Sequence, residues 1–248
     1  TAREGWAAGT LLRRLAHRFR EGWRRLPRAA RRRWAATIVV GLAALLAATL
    51  ALVWGVRRLA AAGALDWETD ALRTLERRLP FSFSTGVWFQ ALGTDFMLAT
   101  LAATTAGIAA WARKPLPAAT ILAALALLDP VVRLAWILWP RPRPTVVFDG
   151  AAAPDFASFP SGHTAKSVAL YGLLTYLWGR SSSRAAERAT ATLAATTCVA
   201  LVIAGRLRMG VHWPSDIAAG ALLGALWLTT LAAALRGAER AAAESEDR

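Results

Sequence analysis

Uncharged apolar stretches long enough to cross a lipid bilayer recur along the 248-residue chain, separated by short polar segments. The clearest runs from Ala35 to Val56, 22 residues without a charge. A helix rises about 1.5 Å per residue, so this stretch covers the roughly 30 Å hydrocarbon core. Five more follow, at about Ala91–Ala112, Leu116–Trp139, Ser161–Gly179, Ala189–Ala204 and Ile217–Leu235. The segment Arg57–Pro80 is charged and helix-prone, suited to one or two interfacial helices between the first two spans. Together these elements predict an all-α integral membrane bundle of six helices. The predicted organisation is a basic segment 1–34, a membrane domain 35–236 and a solvated tail 237–248.

Hydropathy is also periodic ahead of the first span. Leu12, Leu15, Phe19, Trp23 and Leu26 recur at helical spacing with arginines between them, up to Pro27. This is the pattern of an amphipathic cationic helix lying on anionic lipid headgroups. No cleavage site follows the basic segment, so the first span reads as a retained anchor rather than a signal peptide.

Charge orients the bundle. Residues 1–34 hold eleven arginines against Glu4 and Glu21, so +9 of the chain's net +14 lies there. By the positive-inside rule that end is cytoplasmic, and six spans return the carboxyl terminus to the same side of a plasma or inner membrane. The basic tail is read as a membrane contact and not as a nucleic-acid site. The short second and fourth connections, with Arg113, Lys114, Arg180, Arg184 and Arg188, obey the rule. Arg141, Arg143, Arg206 and Arg208 do not, because their connections fall outside. A lone cysteine, Cys198, sits in an apolar run and has no partner for an intrachain disulfide.

Those exceptional arginines lie beside the residues with chemistry in them. Arg141-Pro142-Arg143-Pro144 follows the third span, Pro160-Ser161-Gly162-His163 opens the fourth, and Gly205-Arg206 precedes Gly210-Val211-His212 and Asp216. All three segments fall at the outer ends of their helices. Guanidinium groups neutralise and grip phosphate oxygens. The Ser161-Gly162 helix start offers backbone N–H groups and a positive helix end. A neutral imidazole can attack phosphorus when a carboxylate holds its other nitrogen, and His212 and Asp216 are spaced one helical turn apart. His163 can protonate the leaving oxygen and then activate water. Asp129 and Arg133 read as a structural pair near Pro130. His17 reads as a bystander and Arg208 as a headgroup contact. The tryptophans near span ends, Trp136, Trp139, Trp178 and Trp213, read as an interfacial belt.

The three segments resemble the type-2 phosphatidic acid phosphatase superfamily, which includes bacterial acid phosphatases and vanadium haloperoxidases. Its pattern is a Lys, six residues and Arg-Pro; then Pro-Ser-Gly-His; then Ser-Arg, five residues, His, three residues and Asp. The second part is complete at Pro160–His163. The third keeps Arg206, His212 and Asp216 at the family spacings, with Gly205 in place of serine. The resemblance implies that His212 is the nucleophile, Asp216 its orienting carboxylate and His163 the general acid. It implies that Arg143, Arg206, Ser161 and Gly162 bind phosphate, with no metal or other cofactor. Counting back seven from Arg143 reaches Trp136 where the family has lysine, so Arg133, or else Lys166, is expected to supply that cation.

The resulting expectation is a lipid phosphate or diphosphate phosphatase acting through a phosphohistidine, its site on the extracytoplasmic face. Undecaprenyl diphosphate leads among substrates, ahead of phosphatidylglycerophosphate and phosphatidic acid. A lipid phosphotransferase built on the same residues, or a non-catalytic membrane scaffold or transporter, are the readings from other classes.

Overall fold

A computed structural model of the protein describes residues 2–145 and 157–247, with side chains described from residue 9 onward. Ten helices follow one another: α1 (Ala2–Arg25), α2 (Arg28–Ala61), α3 (Trp67–Arg78), α4 (Phe83–Ala91), α5 (Asp95–Trp111), α6 (Pro115–Ala126), α7 (Leu128–Leu138), α8 (Gly162–Ser181), α9 (Ala185–Arg208) and α10 (Pro214–Glu246). Among the described residues no strand occurs.

Five helical stretches are long and apolar enough to cross a membrane: α2, α4 with α5, α6 with α7, α9 and α10. The sixth expected span, α8, has the length but carries His163, Thr164, Lys166 and Ser167 in its first turns, which makes it less apolar. It sits inside the bundle, against α10, α9, α6, α5 and α7, so its polar groups meet protein rather than lipid. Two expected spans are broken. Pro130 cannot donate to the carbonyl four residues back, and the third span divides into α6 and α7 at Leu127. In the second, Thr94 caps α5 by accepting from the Met97 N–H, and a separate short α4 precedes it. The proposed tail boundary at 236/237 is not marked by a break, because α10 runs on to Glu246.

Helix α10 is the centre of the molecule. It packs chiefly on α2 and α8. On α2 the buried residues Ile38, Gly41, Leu45, Thr49 and Val53 form one stripe at helical spacing. Val39, Val40, Leu50 and Trp54 on the rest of that helix are exposed, as a lipid-facing surface requires. Against α8, Gly220 and Gly224 lie one turn apart. A Cβ at either would stand 2.5 Å from a carbonyl oxygen, Ser161 O or Ala165 O respectively, so only glycine lets the two backbones approach this closely. That approach brings the start of α8 to the start of α10, where the Ser161 N–H donates to Asp216 O at 3.0 Å.

The basic helix α1 packs against α5 and α6. Arg18 donates to Trp111 O, and Arg113 pairs with Glu21 at 2.9 Å. These contacts are at the end of α5 and start of α6, whereas Asp95 at the other end of the 17-residue α5 bonds Lys166 near the start of α8, and a helix of that length spans about 25 Å. The cationic helix and the three motif segments therefore occupy opposite ends of the bundle.

Candidate active site

The turn between α9 and α10 shows how local sequence sets up the site. Gly210 has φ of 62°, a left-handed conformation natural to glycine. Its N–H donates to Leu207 O, and the Val211 N–H donates to Arg206 O, the paired bonds that close a helix carboxyl end. The chain reverses there, and His212 returns beside Arg206. Their side chains meet at 3.0 Å between the Arg206 guanidinium Nη2 and His212 Nε2. Pro214 then opens α10, and Asp216, in its first turn, accepts the Trp213 N–H at 2.8 Å. The same carboxylate oxygen, Oδ2, lies 3.4 Å from His212 Nδ1.

Because a guanidinium can only donate, its contact with Nε2 assigns that nitrogen as acceptor and puts the ring proton on Nδ1, facing Asp216. The ring is buried. Burial first, then the Arg206 charge, pushes the His212 pKa down to about 4, with Asp216 opposing them. His212 is thus a neutral imidazole at physiological pH, with its lone pair aimed at the arginines.

Arg206 is buried as well, and its Nε has no partner among the described residues. Its Nη1 donates to Gln90 Oε1 on α4. Arg143 Nη1 donates to Val211 O at 3.2 Å, and the Pro142 carbonyl accepts from the Trp213 indole at 2.9 Å, which fastens the Arg-Pro-Arg-Pro segment to the α9–α10 turn. Ser161 caps α8, accepting from the Thr164 N–H, and Gly162 begins the helix. His163 is half-buried in that first turn, within electrostatic reach of Arg206, His212, Lys166 and Arg143. The structure so brings together His163, His212, Asp216, Arg143, Arg206, Ser161 and Gly162.

Arg133 and Lys166, the two candidates for the missing lysine, are engaged by carboxylates. Arg133 is 57% exposed, bonds Asp129 at 2.5 Å and lies over the Trp136 ring. Lys166 is buried between Asp95 and Asp129, with Asp129 at 2.9 Å. Lys166 stays within electrostatic reach of His163, and among the described residues neither side chain hydrogen-bonds Arg206 or His212. Trp136, standing where the family has lysine, serves differently: its indole N–H donates to Pro160 O at 3.0 Å, and its ring lies 3.2 Å from where a Cβ at Gly162 would be. An indole buttresses the Pro160–Gly162 loop in place of a charge. Arg208 donates to Phe81 O and so ties α9 to the start of α4 rather than facing a headgroup.

Sequence reasoning missed three participants. Gln90 holds Arg206 as described above. Arg141 is buried and donates to Asp216 Oδ1 at 2.7 Å and Ser215 Oγ at 2.7 Å. Glu68, fully buried at the start of α3, accepts from Arg141 at 2.5 Å and from the Ser215 N–H at 2.7 Å. Only the doubled Arg-Pro hinted at any of them.

Comparison with known proteins adds a fold and a family. The chain superimposes on a solved structure described as the first transmembrane PAP2-type phosphatidylglycerolphosphate phosphatase, from Bacillus subtilis. The TM-score is 0.64 at 20% identity, over 77% of this chain and 94% of that one. No curated protein matches the sequence. The family model of the PAP2 superfamily matches residues 115–239, half of the chain and all three motif segments, and the chain belongs to that superfamily.

Proposed function

We propose that this multi-pass membrane protein is a metal-independent lipid phosphatase that works through a phosphohistidine at His212. The observation that carries the reading is the array Arg206–His212–Asp216, buried together with Nε2 of the imidazole as a lone-pair donor. Arg143, the unpartnered Nε–H of Arg206 and the backbone N–H groups at the start of α8 are the donors for the phosphate oxygens. When a phosphate takes over the Arg206 donor, Nε2 is released to attack phosphorus. The bond to the leaving oxygen breaks and His163 supplies its proton. Water, deprotonated by His163, then attacks the phosphorus–nitrogen bond, freeing inorganic phosphate and returning His212.

A lipid substrate is supported by position and by shape. One turn beyond His163, a cavity of about 560 Å³ begins at Lys166, Asp95 and Asp129 and continues along Leu98, Ala102, Leu122 and Leu125. Its small apolar lining between α5, α6 and α8 suits an acyl or prenyl chain. Phosphate recognition by arginines is common to undecaprenyl diphosphate, phosphatidylglycerophosphate and phosphatidic acid. The first remains our leading substrate; the second is the one named in the description of the superimposed Bacillus subtilis protein. The cationic helix α1, at the opposite end, fits the cytoplasmic leaflet, which supports a reaction on the extracytoplasmic face.

Purified protein should release phosphate from one or more members of a panel of these three lipids, and His212→Ala should reduce release at least about a thousandfold. Equal turnover by the two proteins, or no turnover on any lipid phosphate, would remove the proposal.

A further inference from the structure

Glu68 lies far in sequence from every motif, on a helix whose other charges are mostly solvated, yet it is fully buried. A buried carboxylate is tolerated only where donors satisfy it. Here they do. The two oxygens of Glu68 take the Ser215 N–H at 2.7 Å and the Arg141 guanidinium at 2.5 Å. Arg141 passes the connection on, donating from its other nitrogen to Asp216 Oδ1 at 2.7 Å. Its cation stands 5.3 Å from both the Trp139 and the Trp213 ring centres, which leaves it one orientation. Asp216 Oδ2 then faces His212 Nδ1. Four side chains from α3, the segment after α7, the α9–α10 turn and α10 thus line up. They are hydrogen-bonded from Glu68 to Asp216 and at an ion-pair distance of 3.4 Å from Asp216 to His212, whose Nδ1 has no hydrogen-bond partner among the described residues.

From this chain we infer that Glu68 is a positioning residue for the phosphoryl transfer, acting through Arg141 on the carboxylate that orients His212. The inference rests on the proposed role of His212. Its logic is a charge count. When the imidazole takes phosphorus it becomes cationic, among Arg206 and Arg143, and needs a net negative neighbour at Nδ1. Asp216 alone cannot supply one, because Arg141 neutralises it. With Glu68 present the trio Glu68, Arg141 and Asp216 carries one net negative charge. Geometry gives Glu68 a second effect, since it fixes both the guanidinium and the Ser215 amide next to Asp216. Arg141 is therefore not a phosphate ligand; of the two motif arginines, Arg143 has that part.

The test uses the full chain in detergent and four variants: Glu68→Gln, Arg141→Met, the two combined, and His212→Ala. Glu68→Gln preserves shape and an acceptor but removes the charge. It should lower kcat about 10- to 100-fold, as loss of a carboxylate behind a working histidine does, and leave KM within about threefold. In the Arg141→Met background the same substitution should change kcat by less than about twofold, because the path to Asp216 is already cut. The comparison of that double variant with Arg141→Met can be read even if Glu68→Gln alone fails to fold. An equal effect of Glu68→Gln in both backgrounds, or a wild-type kcat in the single variant, overturns the inference. If His212→Ala is dead while Glu68→Gln is fully active, only the role of Glu68 falls. If His212→Ala is itself active, the reading of the site falls first.

Discussion

Putting serine at Gly205, the residue the family pattern has there, should damage this protein rather than improve it. An added Cβ would lie 2.5 Å from Gly86 O, 2.8 Å from Gln90 N and 3.2 Å from Phe89 Cβ. Comfortable separations are about 3.5–4.0 Å, so α4 must retreat from α9 by roughly 1 Å. Two of the three atoms are backbone, and no rotamer change relieves them. Forcing a group into packing this tight costs about 1–3 kcal/mol. For a chain of this length that corresponds to a fall in Tm of about 2–4 °C per kcal/mol. The retreat also draws Gln90 from Arg206, stranding a buried guanidinium N–H, which costs a further 1–3 kcal/mol or so where no other acceptor is near. Thermal unfolding in detergent and steady-state phosphate release measure both effects, with kcat/KM expected to drop at least about tenfold. Gly55→Ala is the control, because a Cβ there meets nothing within 4 Å, and its Tm should not fall. A Gly205→Ser protein with wild-type Tm and wild-type kcat/KM would refute the reasoning that α4 packs against α9 too closely to admit a Cβ at Gly205.

Arg133→Ala should leave kcat and KM within about twofold, because an exposed ion pair contributes about 0–1 kcal/mol and, among the described residues, Arg133 pairs with Asp129 and lies over the Trp136 face; a sharp rise in KM would return it to the phosphate site. Lys166→Met should instead lower Tm by several degrees, since it leaves Asp129 and Asp95 without their buried cation, and an unchanged melting curve would contradict that pairing. The acid limb of kcat/KM should fall near pH 4 and not near 6.5. With the neutral imidazole as the proposed nucleophile, activity should be present above the folded pKa of about 4 and be lost as pH drops through it. The same lowering means that the unfolded chain binds the His212 proton first, near pH 6.5, so stability declines as pH falls from about 6.5 toward 4. A pH–rate profile and melting curves across that range check both signs.

The architecture was legible in the sequence because lipid forces backbone groups into helices and leaves long apolar stretches behind. The cationic α1 and the charged helix α3 could be read directly, whereas the third span read as unbroken and is divided at Leu127 by Pro130. Helix α8 tests the limit of that reading: its motif residues make it polar, and only its central position explains how it is accommodated. The proposed phosphate-binding residues were legible because phosphate chemistry dictates their types and spacings. What supports them was not. Glu68 and Gln90 lie in segments whose other polar residues face solvent, and no local pattern separates a buried carboxylate from a solvated one. Trp136 and Gly205 were visible as departures from the family pattern, but their reasons are spatial. An indole props the Pro160–Gly162 loop, and a missing Cβ admits α4.

The central claim is the covalent bond between His212 and phosphorus. Rapid acid-free quenching of the protein with a phosphorus-labelled lipid phosphate, followed by peptide mapping, tests it most directly. The label should be stable to alkali, lost in acid and carried by the peptide containing His212, and His212→Ala should carry none. A label on any other residue, or full turnover with no label on His212 under single-turnover conditions, would contradict the account.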